Sequence, residues 1–413
     1  MPRLHFDPEK SRHLACLALC LVAMPTLAHA RGVHARGGHA RGGHAPPVDP
    51  AVMPEITAPT AYLVDVASGR VLFARDAHRR FVPASLTKIM TSYVAFELIA
   101  AGKLKLDQRF TMRPETFRQW HRVGSTMFLG NNSSTTVADL LEGIVTVSAN
   151  DACVVLAEGI AGSVPGFTAM MNAEARALGL HDTHYNTPNG WMDQGQTYVS
   201  AADLATLATA LITRHPDLYH RFYGHERAEF NGIAQANHNP LYGHTPGADG
   251  VKTGFTGEAG YGFVGSVERG GRRVIFVLGG YGRPNDRAQQ SRRLAEWAFA
   301  AWDSHPIIAM GAPVATAPVQ GGAASSVDLV TPQGYAITVP HGTVPRYTLA
   351  IRYKSPLTAP IARGDAVATL IVRAPGQPIE RLPLVAARAV AQGGMTDRLR
   401  DGLAAITGKR GTP

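Results

Sequence analysis

Residues 82–102, VPASLTKIMTSYVAFELIAAG, form a run that only the middle of a sizeable domain can accommodate. From Ser85 onward the pattern predicts one helix, with Pro83 just before it and Gly102 as its C-terminal stop. Leu86, Ile89, Met90, Tyr93, Val94, Leu98 and Ile99 leave no wide polar face, and a helix apolar nearly all round is a buried one. Ser85 and Lys88 stand three residues apart in its first turn and therefore share a face. A lysine is costly on such a helix unless it has a task, and beside a serine that task is to serve a nucleophile as its base.

A chain of 413 residues, 45% apolar, has core material for two or three domains. Arg3, Lys10 and Arg12 precede an apolar segment at residues 14–24 and the cleavage pattern Ala28-His29-Ala30. Residues 1–30 therefore read as a secretion signal, with the mature chain starting near Arg31 and the apolar run too short to span a bilayer. Cys16 and Cys20 leave with that signal; Cys153 remains alone, so the mature protein has no internal disulfide. The net charge of +9 suits an anionic partner such as a wall polymer or a lipid surface. No aromatic-and-basic module accompanies it, so it carries no argument for nucleic acid.

Residues 31–52 hold a repeat of His, Ala, Arg and Gly with too little apolar content to order itself, and read as a flexible basic tether rather than a histidine metal site. In AYLVDVASGRVLFARD, residues 61–76, two strand-like runs flank Ala67-Ser68-Gly69 as a hairpin. Thr136 with Asp139, Ser148 with Asp151, and Ser200 with Asp203 each fit a helix start. From Gly250 the runs GVKTG, YGFVGSV and RRVIFVLGG predict antiparallel strands, and residues 292–302 a closing helix. Strands at both ends and helices between them give residues 53–305 an α/β architecture, an antiparallel sheet covered by helices. Residues 306–326, rich in Ala, Pro and Gly, read as a linker, and residues 327–387 as a smaller all-β domain. In the tail, residues 388–413, a helix over 394–407 would put Met395, Leu399, Leu403 and Ile406 on one side. That weak amphipathic signal leaves peripheral contact with the inner membrane open beside a solvated tail.

Three short motifs come in order: Ser85-Leu86-Thr87-Lys88, Ser148-Ala149-Asn150 and Lys252-Thr253-Gly254. Each is weak alone, but the trio in this order behind a secretion signal is specific. With them the sequence resembles the low-molecular-mass penicillin-binding proteins, in particular the serine D-alanyl-D-alanine carboxypeptidases. The resemblance extends through PASLTKIMT, LGLHDTHYNTPNG and DGVKTGFTGEAGY to SPLTAPI and RLPLVA, and covers residues 53–387. It implies a serine β-lactamase/DD-peptidase-like fold with a C-terminal β domain, a periplasmic location and no cofactor or metal. Peptidoglycan muropeptides are the implied substrates, and β-lactams the acylating inhibitors.

The chemistry asks for these residue types. Lysine can take the proton of a serine hydroxyl only when neutral, and burial with a second cation nearby pushes its pKa down. Lys88 is then the base for Ser85, and Lys252 the second cation. Ser148 can relay a proton to the leaving D-alanine, and Asn150 can hold a substrate amide. Lys252 and Thr253 suit the terminal carboxylate. By resemblance, the backbone N–H groups of Ser85 and of Phe255, which follows Gly254, form the oxyanion hole. The family often has histidine where Phe255 stands, and some members have arginine at His238; Arg287 matches a second arginine near the pocket. A DD-endopeptidase, a class A β-lactamase and a non-catalytic wall-binding or penicillin-sensing protein are the alternatives. The β-lactamase fits less well, because Ala149 stands where its middle motif usually has aspartate and it lacks the extra β domain.

Overall fold

The run RRVIFVLGGY at residues 272–281 is apolar at both alternating sets of positions, which suits a strand covered on both faces. In the computed structural model it is the central strand of a five-stranded antiparallel sheet. The structure describes residues 52–375 and 377–397, Leu399, and the backbone alone of Ala15–Leu17. These fall into two compact units, Val48–Trp302 and one built on Asp303–Pro413.

In chain order the first unit contains β1 (Thr60–Asp65), β2 (Val71–Arg75), α1 (Lys88–Ala100), β3 (Arg109–Thr111), α2 (Pro114–Trp120), β4 (Ser134–Thr136), α3 (Val137–Thr146) and α4 (Asn150–Ala161). There follow α5 (Val164–Ala177), α6 (Ala201–Arg214), α7 (Pro216–Phe222), β5 (Arg227–Phe230), β6 (Ile233–Ala236), β7 (Ala248–Thr256), β8 (Gly260–Arg269), β9 (Arg272–Tyr281) and α8 (Pro284–Ala300). The sheet order is β2-β1-β9-β8-β7, and β1 and β2 form the expected hairpin. Ile275 and Val277 of β9 and Val264 of β8 face a core shared with α1, α3, α4, α5 and α6. Val274, Phe276, Leu278, Phe263 and Val267 face a second core closed by Leu294, Ala295, Trp297 and Ala298 of α8. Burial on both faces is what makes these strands nearly continuous in apolar residues.

Helix α1 lies inside the first core, with Ile89, Met90, Tyr93, Ala95 and Phe96 fully buried. It begins three residues later than the sequence pattern suggests: Ala84–Thr87 is a separate 3-10 turn, and Ala84 is left-handed at φ +47°. Strand β7 causes the tight approach. A Cβ on Gly254 would stand 2.8 Å from the carbonyl oxygen of Pro83, so the strand crosses directly against the turn that carries Ser85.

Thr136 and Ser200 cap α3 and α6 as their patterns predict, accepting from the amides of Asp139 and Asp203. Ser148 does not cap α4. The cap position is Ala149 without a side-chain bond, and Ser148, one residue before it, is left-handed at φ +65°. The closing helix starts eight residues before the predicted 292, at Pro284, and thereby includes Arg287.

The second unit contains β10 (Trp302–Ile308, which begins at the junction), β11 (Pro313–Gln320), β12 (Ser326–Val330), β13 (Tyr335–Pro340), β14 (Thr348–Tyr353), β15 (Leu357–Thr358), β16 (Ala366–Arg373) and β17 (Glu380–Ala386). Its larger sheet runs β14-β16-β17-β12-β11-β15, with Ala15–Leu17 antiparallel against β14; β10 pairs with β13. The expected linker at 306–326 is therefore corrected: it holds β11, where Val314, Ala317 and Val319 are buried. A register irregularity between Pro313 and Ala315 sets the buried positions 314, 317 and 319 out of strict alternation, so the strand does not stand out from a Pro- and Ala-rich stretch. The tether and the rest of the expected secretion signal lie outside the described residues, as do Leu403 and Ile406 of the tail; Met395 and Leu399 are exposed.

Candidate active site

The junction of the 3-10 turn, α1, α4 and β7 collects the motif residues. Lys88 is buried at the first position of α1, and its Nζ donates to Ser85 Oγ at 2.7 Å, Asn150 Oδ1 at 2.8 Å and the carbonyl oxygen of Asn189 at 2.7 Å. Asn150 opens α4, and its amide orientation is set from the far side, where Nδ2 donates to the Val123 carbonyl at 3.1 Å. Burial pushes Lys88 down to about 8, opposed by nearby negative charge. Of the groups that oppose it, Cys153 is itself pushed up to about 12 by burial and stays a neutral thiol, which leaves the carboxylate of Asp151, its own pKa raised by burial against the backbone amide donors of Leu129, Met127 and Ala152.

Lys252, on β7, is buried and donates to the carbonyl of Thr253 at 3.0 Å. Burial, then the charges of Lys88 and Arg287, holds its pKa well below the usual lysine range. Lys88, Lys252 and Arg287 thus converge without a described carboxylate bonded to Lys252 or Arg287, and each positive charge raises the cost of the others, an arrangement that favours an anionic ligand. Arg287 lies with its guanidinium carbon 5.6 Å from the ring centre of Tyr261, and its Nε is buried without a partner among the described residues. Tyr261 in turn stacks on Phe255, their ring centres 4.1 Å apart. Phe255 keeps 52% of its surface exposed at the rim, while Thr253 and Gly254 before it are buried. His238 is held below its ordinary value by burial and by the charges of Lys252 and Arg287, which places it near both. Ser148 is buried immediately before Asn150's turn.

The geometry therefore brings Ser85, Lys88 and Asn150 into direct contact and sets Lys252, Arg287 and His238 within electrostatic reach. Ser148, Thr253, Gly254 and Phe255 lie on the segments that frame them. The carbonyl of Asn189 had no assigned part in the sequence, although the TPNG stretch contains it. Its neighbour Gly190 at φ +72° is required there, since a Cβ would stand 1.8 Å from the Ala84 carbonyl oxygen. Among the described residues, no group of three or more His, Cys, Asp or Glu side chains is placed to hold a metal ion.

A serine hydroxyl held on a buried lysine of lowered pKa, beside a strand edge and a cluster of cations, defines a serine acyl-transfer enzyme acting on a carboxylate-bearing substrate. The D-alanyl-D-alanine carboxypeptidase family profile matches residues 48–281, and a profile of the C-terminal domain of penicillin-binding protein 5 matches residues 302–392. The chain belongs to the D-alanyl-D-alanine carboxypeptidase family. D-alanyl-D-alanine carboxypeptidase DacC of Escherichia coli is 35% identical over 353 residues, which span 84% of this chain and 88% of that one. Penicillin-binding protein 5 from Haemophilus influenzae superposes with a TM-score of 0.71 at 34% identity, covering 83% of this chain and 99% of its own. Penicillin-binding protein D2 from Listeria monocytogenes, in its cefotaxime-bound form, gives 0.54 at 30% identity over 60% of this chain and 98% of its own. The expected fold, an antiparallel sheet with helices and a smaller C-terminal β domain, is the one found.

Proposed function

We propose that the protein removes the terminal D-alanine from peptidoglycan pentapeptides through an acyl-enzyme on Ser85. The observation that carries this is the environment of Lys88 Nζ. Two of its three partners, Asn150 Oδ1 and the Asn189 carbonyl, are acceptors only. A neutral Lys88 spends its two N–H bonds on them and turns its lone pair to the Ser85 hydroxyl, the orientation a general base needs.

Ser85 Oγ attacks the carbonyl carbon of the penultimate D-alanine as Lys88 takes its proton. The oxyanion forms against the backbone N–H groups of Ser85 and Phe255. The C–N bond then breaks as Ser148 gives its proton to the departing amine and takes in its place the one Lys88 holds, so that D-alanine leaves and Lys88 is neutral again. Water attacks the ester, Lys88 receives the water proton, and Ser85 Oγ is reprotonated as the shortened peptide departs. Lys252, Thr253 and Arg287 hold the terminal carboxylate, and Asn150 the substrate amide. β-Lactams acylate the same serine. Membership of this family and the +9 charge support a cell-wall site of action in the periplasm. The tail from residue 388 would contribute peripheral contact with the inner membrane; loss of membrane partitioning on its removal would support that part.

The test is D-alanine release from a purified pentapeptide muropeptide by the mature protein beside Ser85→Ala. Release by the wild type that is lost in the variant is the expected result. No release from the wild type overturns the assigned substrate, and release by the variant overturns the nucleophile.

A further inference from the structure

Asp151 follows Asn150 in α4 and is buried, and its hydrogen bonds among the described residues go to backbone amides rather than to Ser85 or Lys88. Its Oδ1 accepts from the amide of Met127 at 3.1 Å and of Ala152 at 2.9 Å, and its Oδ2 from the amide of Leu129 at 3.1 Å. One carboxylate therefore clamps two amides of one loop, on either side of Phe128, which is left-handed at φ +60° and exposed. A non-glycine residue stays in that region only where its surroundings hold it. The same loop returns to α4: the Ser125 carbonyl accepts from the Asn150 amide at 2.7 Å, and the Val123 carbonyl from Asn150 Nδ2 at 3.1 Å. A Cβ on Gly124 would stand 2.7 Å from Asn150 Nδ2, so the approach is as close as backbone permits.

We propose that Asp151 is a positioning residue for acyl transfer, locking the loop 123–129 against α4 so that the Asn150 amide is fixed with Nδ2 outward and Oδ1 on Lys88. This deepens the carboxypeptidase assignment and rests on it. With Val123 taking Nδ2, only Oδ1 can face Lys88, and the lysine lone pair is left for Ser85. A loose loop frees the amide to rotate, and a rotated amide presents a donor to a base that needs an acceptor. Asp151 also stands near Lys88 as a carboxylate whose pKa burial raises and the amides of Leu129, Met127 and Ala152 oppose, and its negative charge favours protonated Lys88. The other groups around that lysine are Ser85, Asn150, the Asn189 carbonyl, the neutral Cys153 thiol and the Lys252 cation.

Asp151→Asn tests this, since its amide oxygen can accept from one of the two loop amides while its NH2 group cannot accept from the other. Three results are expected: trypsin cleaves after the exposed Arg122 sooner than in the wild type; acylation by a fluorescent penicillin slows roughly tenfold to a hundredfold; and its acid limb moves to lower pH by up to about one unit, because the charge that favours protonated Lys88 is gone. Asp151→Glu, which keeps the charge, should leave the acid limb in place. A folded Asp151→Asn protein with wild-type trypsin resistance and rate overturns the proposal, as does a slowed one whose acid limb has not moved. Should the variant fail to fold, hydrogen exchange in the wild type decides: slow exchange at the Met127 and Leu129 amides supports the clamp, and exchange at the rate of an open loop overturns it. Ser85→Ala runs in parallel. Labelling that persists there would sink the nucleophile assignment, while the trypsin and exchange results would still report on the clamp.

Discussion

Gly190 presses against Ala84 so closely that the turn carrying Ser85 and the segment supplying the Asn189 carbonyl are packed backbone to backbone. Substituting Gly190 with Ala would add a Cβ 1.8 Å from the Ala84 oxygen and 2.7 Å from Thr87 Oγ1, at a backbone φ of +72°. The left-handed conformation alone costs about 1–2 kcal/mol for a residue with a Cβ, and the overlap must displace the turn. Gly190→Ala is expected to lower the thermal midpoint and to slow penicillin acylation in parallel. Unchanged acylation would mean that the turn tolerates displacement.

The pH dependence follows from Lys88. Its pKa is pushed from the usual lysine value down to about 8, and only the neutral form can accept the Ser85 proton. Acylation should therefore be fastest above about pH 8 and fall about tenfold per unit well below it. A rate profile with penicillin, measured at subsaturating concentration, checks this. Lys88→Arg should be inactive across the range, because a guanidinium does not give up its proton.

Arg287 has no described carboxylate partner and lies within electrostatic reach of Lys252. Arg287→Gln should raise KM for a pentapeptide with a free C-terminal carboxylate about tenfold or more, the value of a charge-assisted hydrogen bond. It should change little for the same peptide ending in an amide, which has no charge for the arginine to meet. Equal losses on both peptides would place the arginine's contribution elsewhere.

Stability rests partly on a pair far from the chemistry. Asp65 is fully buried, with Oδ2 accepting from Arg272 Nε at 2.7 Å and Oδ1 from the amide and hydroxyl of Ser68. It ties the hairpin turn to the central strand. Asp65→Ala leaves a largely buried guanidinium unpaired and should cost about 3–5 kcal/mol in urea unfolding, with acylation of the remaining folded fraction unchanged. A loss below about 1 kcal/mol would indicate that Arg272 finds water.

Much of this protein is determined by local sequence. The apolar run behind Ser85, the continuous apolar run of the 272–281 strand and the caps at Thr136 and Ser200 each depend on neighbours a few residues away. They read correctly because burial and capping follow short-range periodicity. The three motifs carried the family for a related reason: each is a short string whose chemistry is specific in combination. Tertiary structure decided what depends on distant contacts. Ser148 fitted the local pattern of a helix cap, yet it is turned left-handed and buried where α3 gives way to α4. Residues 313–320 looked like linker because small residues such as Ala317 bury little area each, and only pairing with β12 on one side and β15 on the other makes them a strand. The Asn189 carbonyl lies 101 residues from Lys88, and the 123–129 loop reaches Asp151 across 22 and 24. A backbone carbonyl carries no side-chain signature, so no local pattern could have marked it as the group that completes the lysine's surroundings.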